Sequence, residues 1–579
     1  MTTAPQFTAW PQLEGVEQGR ELFDWAVAQE GPRTCLVKGP EGSGKSRLLA
    51  WFLLGCSTAG SPATTVHATV PAEGLTTEVF AWELGRQLGY GPTSPDRLLN
   101  RVALDQRELF VLIPDLHRSG RGPTDLPQCQ PEALAEDLIR HLLALEHVRA
   151  VVEVGDSGLL ADQEATPLTC TGTPRPAKEQ PTTWDDLIST VPRTPSGAPD
   201  WTRAPEELRD QALDVALREA EGRPTPQVLH LLSDPGYLVF GPARALTAAV
   251  ADDRIPLPQG GRALWQRAAP QLTATGRTPT ERAALLHATA LGLNDRLAEY
   301  LRPLAEQNSW SASWSRPGFP VAALAVTPGG APELVAADAQ GRLAGYGPRG
   351  EDATAPPPAP QHLRPHQLAL RDRQSLLALD DTGALHPLCD PEDTDTHHVL
   401  AHIAAHHGAA ALTTPDTAAT ALGGTPDGRY AVVGDSNGRV HLWPLHSYQP
   451  EPHTMDLHRG KVLATACLPL PDQDLTFVFS AGLDGTIRLW ETSTDPMPGP
   501  VDQRPALVNA LAATDSSAGP LLAAAWNDSE LHIWHLPSGK SRTLSLTEPA
   551  NALAFTHDGL LAVGSPYGVS ALRIDLEGF

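Results

Sequence analysis

The sequence predicts a multidomain chain: an α/β domain with a parallel sheet, then a helical domain, then an all-β propeller. Three observations predict it. Roughly the first 160 residues alternate short apolar runs with helical patterns, as βα units do. From Pro205 to about Gln307 helical patterns resume with breaks, and Leu and Ala recur at helical spacing over Arg282 to His287 and Leu293 to Leu304. From about Trp310, strands of 4–7 residues alternate with turns and the pattern repeats. At 579 residues the chain is too long for a single hydrophobic core.

In the α/β part, Thr34-Cys35-Leu36-Val37 reads as the first strand and Lys45 to Leu54 as the helix after it. Thr64 to Val70 reads as a second strand, Leu109 to Ile113 as a third and Arg149 to Val154 as a fourth. Ser94-Pro95-Asp96 has the form of an N-cap followed by Pro at the first helical position. Residues 166–204 are dense in Thr and Pro and have no periodicity, which predicts a linker. The expected boundaries are 1–165 for the α/β domain, 205–308 for the helical domain and 309–579 for the propeller. The helical domain is expected to pack on the α/β core.

The propeller rests on a repeated turn-plus-strand unit: DAQGRLAGY, DDTGALHPL, DSNGRVHLW, GLDGTIRLW, WNDSELHIW and SPYGVSALRI. Gly341, Gly383, Gly438 and Gly485 stand 42, 55 and 47 residues apart. A period near 45 residues built only of strands marks blades that must close into a ring. Six copies are countable, and the long 55-residue interval leaves room for a degenerate seventh. That interval carries His397, His398, His402, His406 and His407, which read as a solvated inter-blade loop rather than a metal site.

Composition narrows the partners. A formal net charge of -25 without a Lys/Arg cluster repels a phosphate backbone, so nucleic acid is not expected. The six cysteines are scattered without CxxC spacing, as reduced thiols are. Neither a signal peptide nor a membrane span is legible, and a cytoplasmic location is expected.

One motif carries chemistry. Gly39-Pro40-Glu41-Gly42-Ser43-Gly44-Lys45-Ser46 fits G-x-x-x-x-G-K-[ST] in full, with a strand before it and a helix after it. Such a loop needs glycines so that the backbone can turn tightly and aim N–H groups at phosphates. The helix adds the positive end of its dipole. Lys45 is expected to reach the β- and γ-phosphates of ATP, and Ser46 to ligate Mg²⁺. Leu109 to Asp115 has the form of a Walker B strand, and Asp115 is expected to hold the Mg²⁺ through water. The α/β domain is thus expected to be a P-loop NTPase in which Lys45 and Asp115 are the catalytic candidates. Pro114 interrupts that strand, and Leu116 stands where a second acid would activate water. Binding with slow hydrolysis follows.

Residues 310–579 resemble the WD-repeat family. His458, Ser480, Asp484 and Trp490 stand where that family places its hydrogen-bonded tetrad, which is a structural device. Trp443 and Trp534 mark eroded blades, with Asn437 and Val433, and Ala524, at departing positions. The whole arrangement resembles the STAND class of AAA+-related signalling ATPases. In that resemblance Gly19-Arg20-Glu21-Leu22 corresponds to the class's Gly-Arg-Glu box, and Glu153 or Asp156 ends a sensor strand. Glu221-Gly222-Arg223-Pro224 matches its Gly-x-Pro motif, with Pro224 contacting the nucleotide. The resemblance implies a switch whose propeller binds a protein ligand, whose ATP-bound form can assemble as a homo-oligomer, and whose output passes to a separate effector protein. An active AAA+ remodelling enzyme, or a scaffold with a vestigial site, are the competing readings.

Overall fold

The chain divides into two units, Met1–Pro279 and Thr280–Phe579. The computed structural model describes residues 10, 18–28, 30–59, 64–120, 131–171, 183–219, 225–252, 255–257, 259–274, 276–329, 333–353, 363–390, 392–414, 417–470 and 475–577.

In the first unit, β1 (Thr34–Lys38), β2 (Ala68–Thr69), β3 (Leu109–Ile113), β4 (Val148–Gly155) and β5 (Thr166–Thr169) form one sheet in the order β2-β3-β4-β1-β5. Every neighbouring pair is parallel. β3 reads LFVLI and is buried throughout, because a strand covered on both faces needs a continuous apolar run rather than an alternating one. Helices α1 (Gln18–Val27) and α2 (Lys45–Ala59) cover one face. Leu22, Phe23 and Trp25 of α1 and Leu48, Trp51 and Phe52 of α2 pack with Cys35, Val37, Phe110 and Leu112. Each such large side chain stabilises the unit by about 1.5–3 kcal/mol.

Two segments differ from the sequence reading. β2 keeps only two residues of the strand expected over 64–70. The segment expected as a linker, 166–204, contributes structure at both ends. β5 pairs with β1 from Cys35↔Thr166 to Lys38↔Thr169. A four-residue edge strand with one buried residue is too short to show periodicity. Further on, Thr183 accepts from the Asp186 amide and caps the helix Trp184–Thr190. Within the first unit, the helix Gln259–Leu272 packs on the helix Thr77–Gln87 of the α/β core, and Arg244 Nη1 donates to the Glu73 carbonyl at 2.9 Å. The Leu- and Ala-rich block at 205–308 is shared between the units, with helix Asp295–Ala305 in the second.

The second unit is a six-bladed propeller. Its inner strands are Val321–Val326, Pro365–Leu370, Ala419–Gly424, Val462–Leu470, Val508–Ser516 and Ala552–Phe555. These six line one central channel, and each packs on the next, the last on the first. Trp310–Pro317, the first strand of the unit, pairs with Gly568–Ile574, the last, and closes the sixth blade. The ring is therefore sealed by a backbone ladder as well as by apolar packing.

The turn glycines that revealed the repeat have a steric reason. Gly341, Gly383, Gly438 and Gly485 all have φ between 72° and 93°. A Cβ at Gly438 would stand 2.2 Å from the His458 carbonyl oxygen. In three of these turns an Asp organises the backbone: Asp338, Asp380 and Asp435 each accept from the amides two and four residues on.

The long interval holds neither a loop nor a seventh blade. Residues Thr394–Thr413 form a helix, capped by Asp393, that packs against the outer strand Leu385–Leu388 of a three-stranded second blade. Val399, Leu400 and Ile403 join the core between the second and third blades. Five histidines at polar positions mask this apolar stripe in the sequence. His407 is buried and its Nε2 accepts from Trp443 Nε1 at 3.0 Å. The helix thus takes the edge position that a fourth strand holds elsewhere, and covers it. No helix among the described residues is long and apolar enough to cross a membrane.

Candidate functional site

The loop between β1 and α2 lies at the C-terminal edge of the parallel sheet, where crossovers leave a crevice in α/β folds. Gly39, Gly42 and Gly44 have φ of 137°, 82° and 91°, so the chain there takes turns that only glycine enters freely. A Cβ at Gly39 would stand 2.3 Å from the Cys170 carbonyl oxygen, so β5 sets how close the loop may come. The Gly39 amide donates to the Gly155 carbonyl at 3.2 Å, which ties the loop to the end of β4. Glu41 and Gly42 are exposed at its tip. The Ser43 hydroxyl oxygen is buried and has no hydrogen-bond partner. α2 then begins, its first bond running from the Leu48 amide to the Gly44 carbonyl at 2.9 Å.

Lys45 is buried under this loop. Its ammonium donates to the Gly39 and Pro40 carbonyls at 2.9 and 2.8 Å and lies 3.7 Å from Glu153 Oε1. Ser46, the next residue, is exposed on the first turn of α2. Glu153 is fully buried on β4, the strand between β1 and β3. Burial and the nearby Asp115 charge push its carboxyl up to about 7, against the opposing pull of Lys45.

Asp115 follows β3. Pro114, expected to interrupt the strand, stands just beyond its ladder, where a missing N–H costs nothing, and its carbonyl accepts from the Ala72 amide at 2.8 Å. Asp115 itself is left-handed, with φ 56°, a conformation Asp tolerates better than most residues. Its amide donates to Glu153 Oε2 at 3.4 Å. Leu116 is buried and brings no carboxylate. The second acid beside Asp115 comes instead from Glu153, across the sheet rather than along the chain.

His117 completes the cluster. Asp115, His117 and Glu153 each offer one ligand atom, and these atoms lie within 4.8 Å of one another. The imidazole packs over Gly155, where a Cβ would come within 2.7 Å of the ring. Burial holds the His117 pKa below the usual imidazole value. The sequence reading missed His117, although the Asp-x-His spacing after an apolar strand was its visible sign. Sequence alone marks Glu153 as the polar end of a strand, whereas its partners Lys45 and the Asp115 amide come from the fold.

The remaining expectations divide. Gly19-Arg20-Glu21-Leu22 lies in α1, where Leu22 is buried in the core and Arg20 and Glu21 are exposed. Glu221-Gly222-Arg223-Pro224 lies outside the described residues. In the propeller, His458 Nε2 meets Ser480 Oγ at 2.8 Å and His458 Nδ1 meets Asp484 Oδ1 at 3.2 Å, as the tetrad requires. The indole of Trp490 does not join it. Its Nε1 is buried without a partner, and its ring instead packs T-shaped against His453, with the ring centroids 4.7 Å apart.

Residues 450–491, which span the outer strand of the third blade and most of the fourth, match the family model "WD domain, G-beta repeat" (WD40). No curated protein matches the chain. Among solved structures it is similar to the computationally designed Ika8 protein, at 16% identity over 44% of this chain and 70% of that one, with a TM-score of 0.27. It is also similar to the β-propeller domain of Myceliophteria thermophila Cps50 (Swd1), at 15% identity over 44% of this chain and 83% of that one, with a TM-score of 0.29. The C-terminal unit is a six-bladed β-propeller that carries a WD40 repeat, an architecture suited to binding other proteins.

Proposed function

We propose that the first unit is an ATP-binding regulatory switch with slow hydrolysis, and that the propeller binds a protein partner under its control. The observation that carries this is the buried Lys45 beneath a loop with three left-handed glycines at the start of α2, beside the acids Asp115 and Glu153. The donor set fits a phosphate chain and a divalent cation. It has a buried ammonium, an unpartnered Ser43 hydroxyl, and a helix N-terminus that favours anions.

In this reading the backbone of Gly39 to Gly44 binds the phosphates. Lys45 leaves the Gly39 and Pro40 carbonyls to hold their charge, and Ser46 and Asp115 hold Mg²⁺. ATP·Mg²⁺ supplies the γ-phosphate that distinguishes two states of the switch. Pro224 is assigned to the nucleotide on the sequence motif alone. Hydrolysis is slow because Leu116 offers no base, and because Glu153 is shared between Lys45 and the Asp115 amide. Assembly of ATP-bound copies and a separate effector chain complete the proposal. The faces of the ring, built from loops, take the protein ligand.

The test is light-scattering mass and turnover of the full chain with and without ATP·Mg²⁺. The switch predicts a nucleotide-dependent change in mass and turnover well below about 1 s⁻¹, where working enzymes begin. The reading fails if Lys45→Ala changes neither nucleotide binding nor assembly.

A further inference from the structure

We infer that Asp115, His117 and Glu153 form a binding site for a divalent transition-metal ion, with one imidazole nitrogen and two carboxylate oxygens as ligands. The three ligand atoms lie within 4.8 Å of one another, so a single ion can reach all of them. Their scaffold is rigid. Glu153 is on β4 in the middle of the sheet, and Asp115 and His117 follow the adjacent strand β3 on a tight turn. Gly155, also on β4, gives the imidazole the room to lie flat against the strand end.

The state of the imidazole points the same way. Its Nδ1 is buried and has no hydrogen-bond partner. In the neutral ring with its proton on Nε2, that Nδ1 is a bare lone pair, the form in which an imidazole binds a metal ion. An acceptor left buried without a donor is costly, and a cation relieves the cost. Lys45, 3.7 Å from Glu153 Oε1, is a positive charge that now faces that carboxylate. It is also the one that an ion would displace.

Ligand chemistry sets the choice of metal. Mg²⁺ prefers oxygen ligands and retains its waters, whereas an imidazole beside two carboxylates suits the first-row transition ions. Affinity should rise from Mn²⁺ to Co²⁺, Zn²⁺ lies on the fall of the series after Cu²⁺, and each of the three should bind more tightly than Mg²⁺. The inference stands on these side chains alone, without nucleotide.

The experiment uses the full chain, stripped with chelator and free of nucleotide, titrated calorimetrically with Mg²⁺, Mn²⁺, Co²⁺ and Zn²⁺. Pulsed electron paramagnetic resonance of the Mn²⁺ form reads nitrogen ligation directly. We expect one site at which Co²⁺ and Mn²⁺ outbind Mg²⁺ at least about tenfold, with a nitrogen coupling in the Mn²⁺ spectrum. His117→Ala should weaken the site at least about tenfold and erase the coupling, and Glu153→Gln should weaken it alike. His117→Gln, which keeps the pocket filled, is read the same way if the alanine variant does not fold. His402→Ala/His406→Ala, on the helix of the propeller, should change nothing. Lys45→Ala should keep the metal even where nucleotide binding is lost, which separates this inference from the proposed switch. Equal affinity for Mg²⁺ and Co²⁺ would overturn it. So would a nitrogen coupling that survives in His117→Gln or disappears in His402→Ala/His406→Ala.

Discussion

Lys45 Nζ stands 3.7 Å from Glu153 Oε1, and the two side chains are 6% and 1% exposed. This pair joins the loop after β1 to the strand at the centre of the sheet. Removing one member of a buried pair strands the other, at about 3–5 kcal/mol when the remaining charge has no escape. Glu153 has one, since its carboxyl, already raised to about 7, can take up a proton. Lys45→Ala should therefore lower stability by less, about 1–3 kcal/mol. Adding Glu153→Gln should restore most of the loss, as a double-mutant cycle in denaturant would measure.

Gly39→Ala tests the loop itself. With φ at 137° and the Cys170 carbonyl 2.3 Å from the new Cβ, the loop must move away from β5. Thermal unfolding should fall by a few degrees, the equivalent of about 1–2 kcal/mol. ATP affinity should fall by more than tenfold. A variant that bound ATP like the wild type would show that the loop geometry is irrelevant to the ligand.

The propeller should be acid-sensitive through its helix. His407 is buried neutral, its pKa lowered to about 3 by burial and then by His441 and His406. Unfolding returns it to about 6.5, so below that pH the unfolded chain takes up a proton that the folded one refuses. The stability of the ring is then complete above about pH 6.5 and lost as pH falls toward 3. At pH 5 the single group accounts for about 2 kcal/mol. His407→Gln keeps an acceptor for Trp443 and should flatten this part of the pH profile. An unchanged profile would contradict the buried assignment.

The fourth blade separates two roles that sequence alone joins. Ser480→Ala removes the partner of His458 Nε2 inside a buried network and should cost about 1–3 kcal/mol. Trp490→Phe removes an N–H that bonds to nothing, and the penalty should reduce to lost packing. Trp443→Phe orphans His407 and should cost more than Trp490→Phe. Chemical unfolding of the three variants orders them.

These contrasts mark what the chain makes legible. Gly341, Gly383, Gly438 and Gly485 announced the blades because steric need fixes glycine at each turn. Gly39 to Ser46 announced the loop for the same reason. The helix Thr394–Thr413 stayed hidden because its five histidines are polar by type, while its place is set by Val399, Leu400 and Ile403 against the neighbouring blades. Only tertiary packing decides that. The site was half visible. Lys45 and Asp115 follow from local spacing, but Glu153 and His117 acquire meaning only when β3 and β4 pair, Ile113 against Val152. Strand neighbours that lie about 40 residues apart leave no periodic trace.

The most direct test of the account is calorimetric titration of the full chain with ATP·Mg²⁺, beside Lys45→Ala. The account predicts saturable binding by the wild type at one site, weakened at least tenfold in the variant. Absence of binding up to about 1 mM nucleotide, a free energy no better than about −4 kcal/mol, would contradict it. Equal binding by Lys45→Ala would contradict it as well.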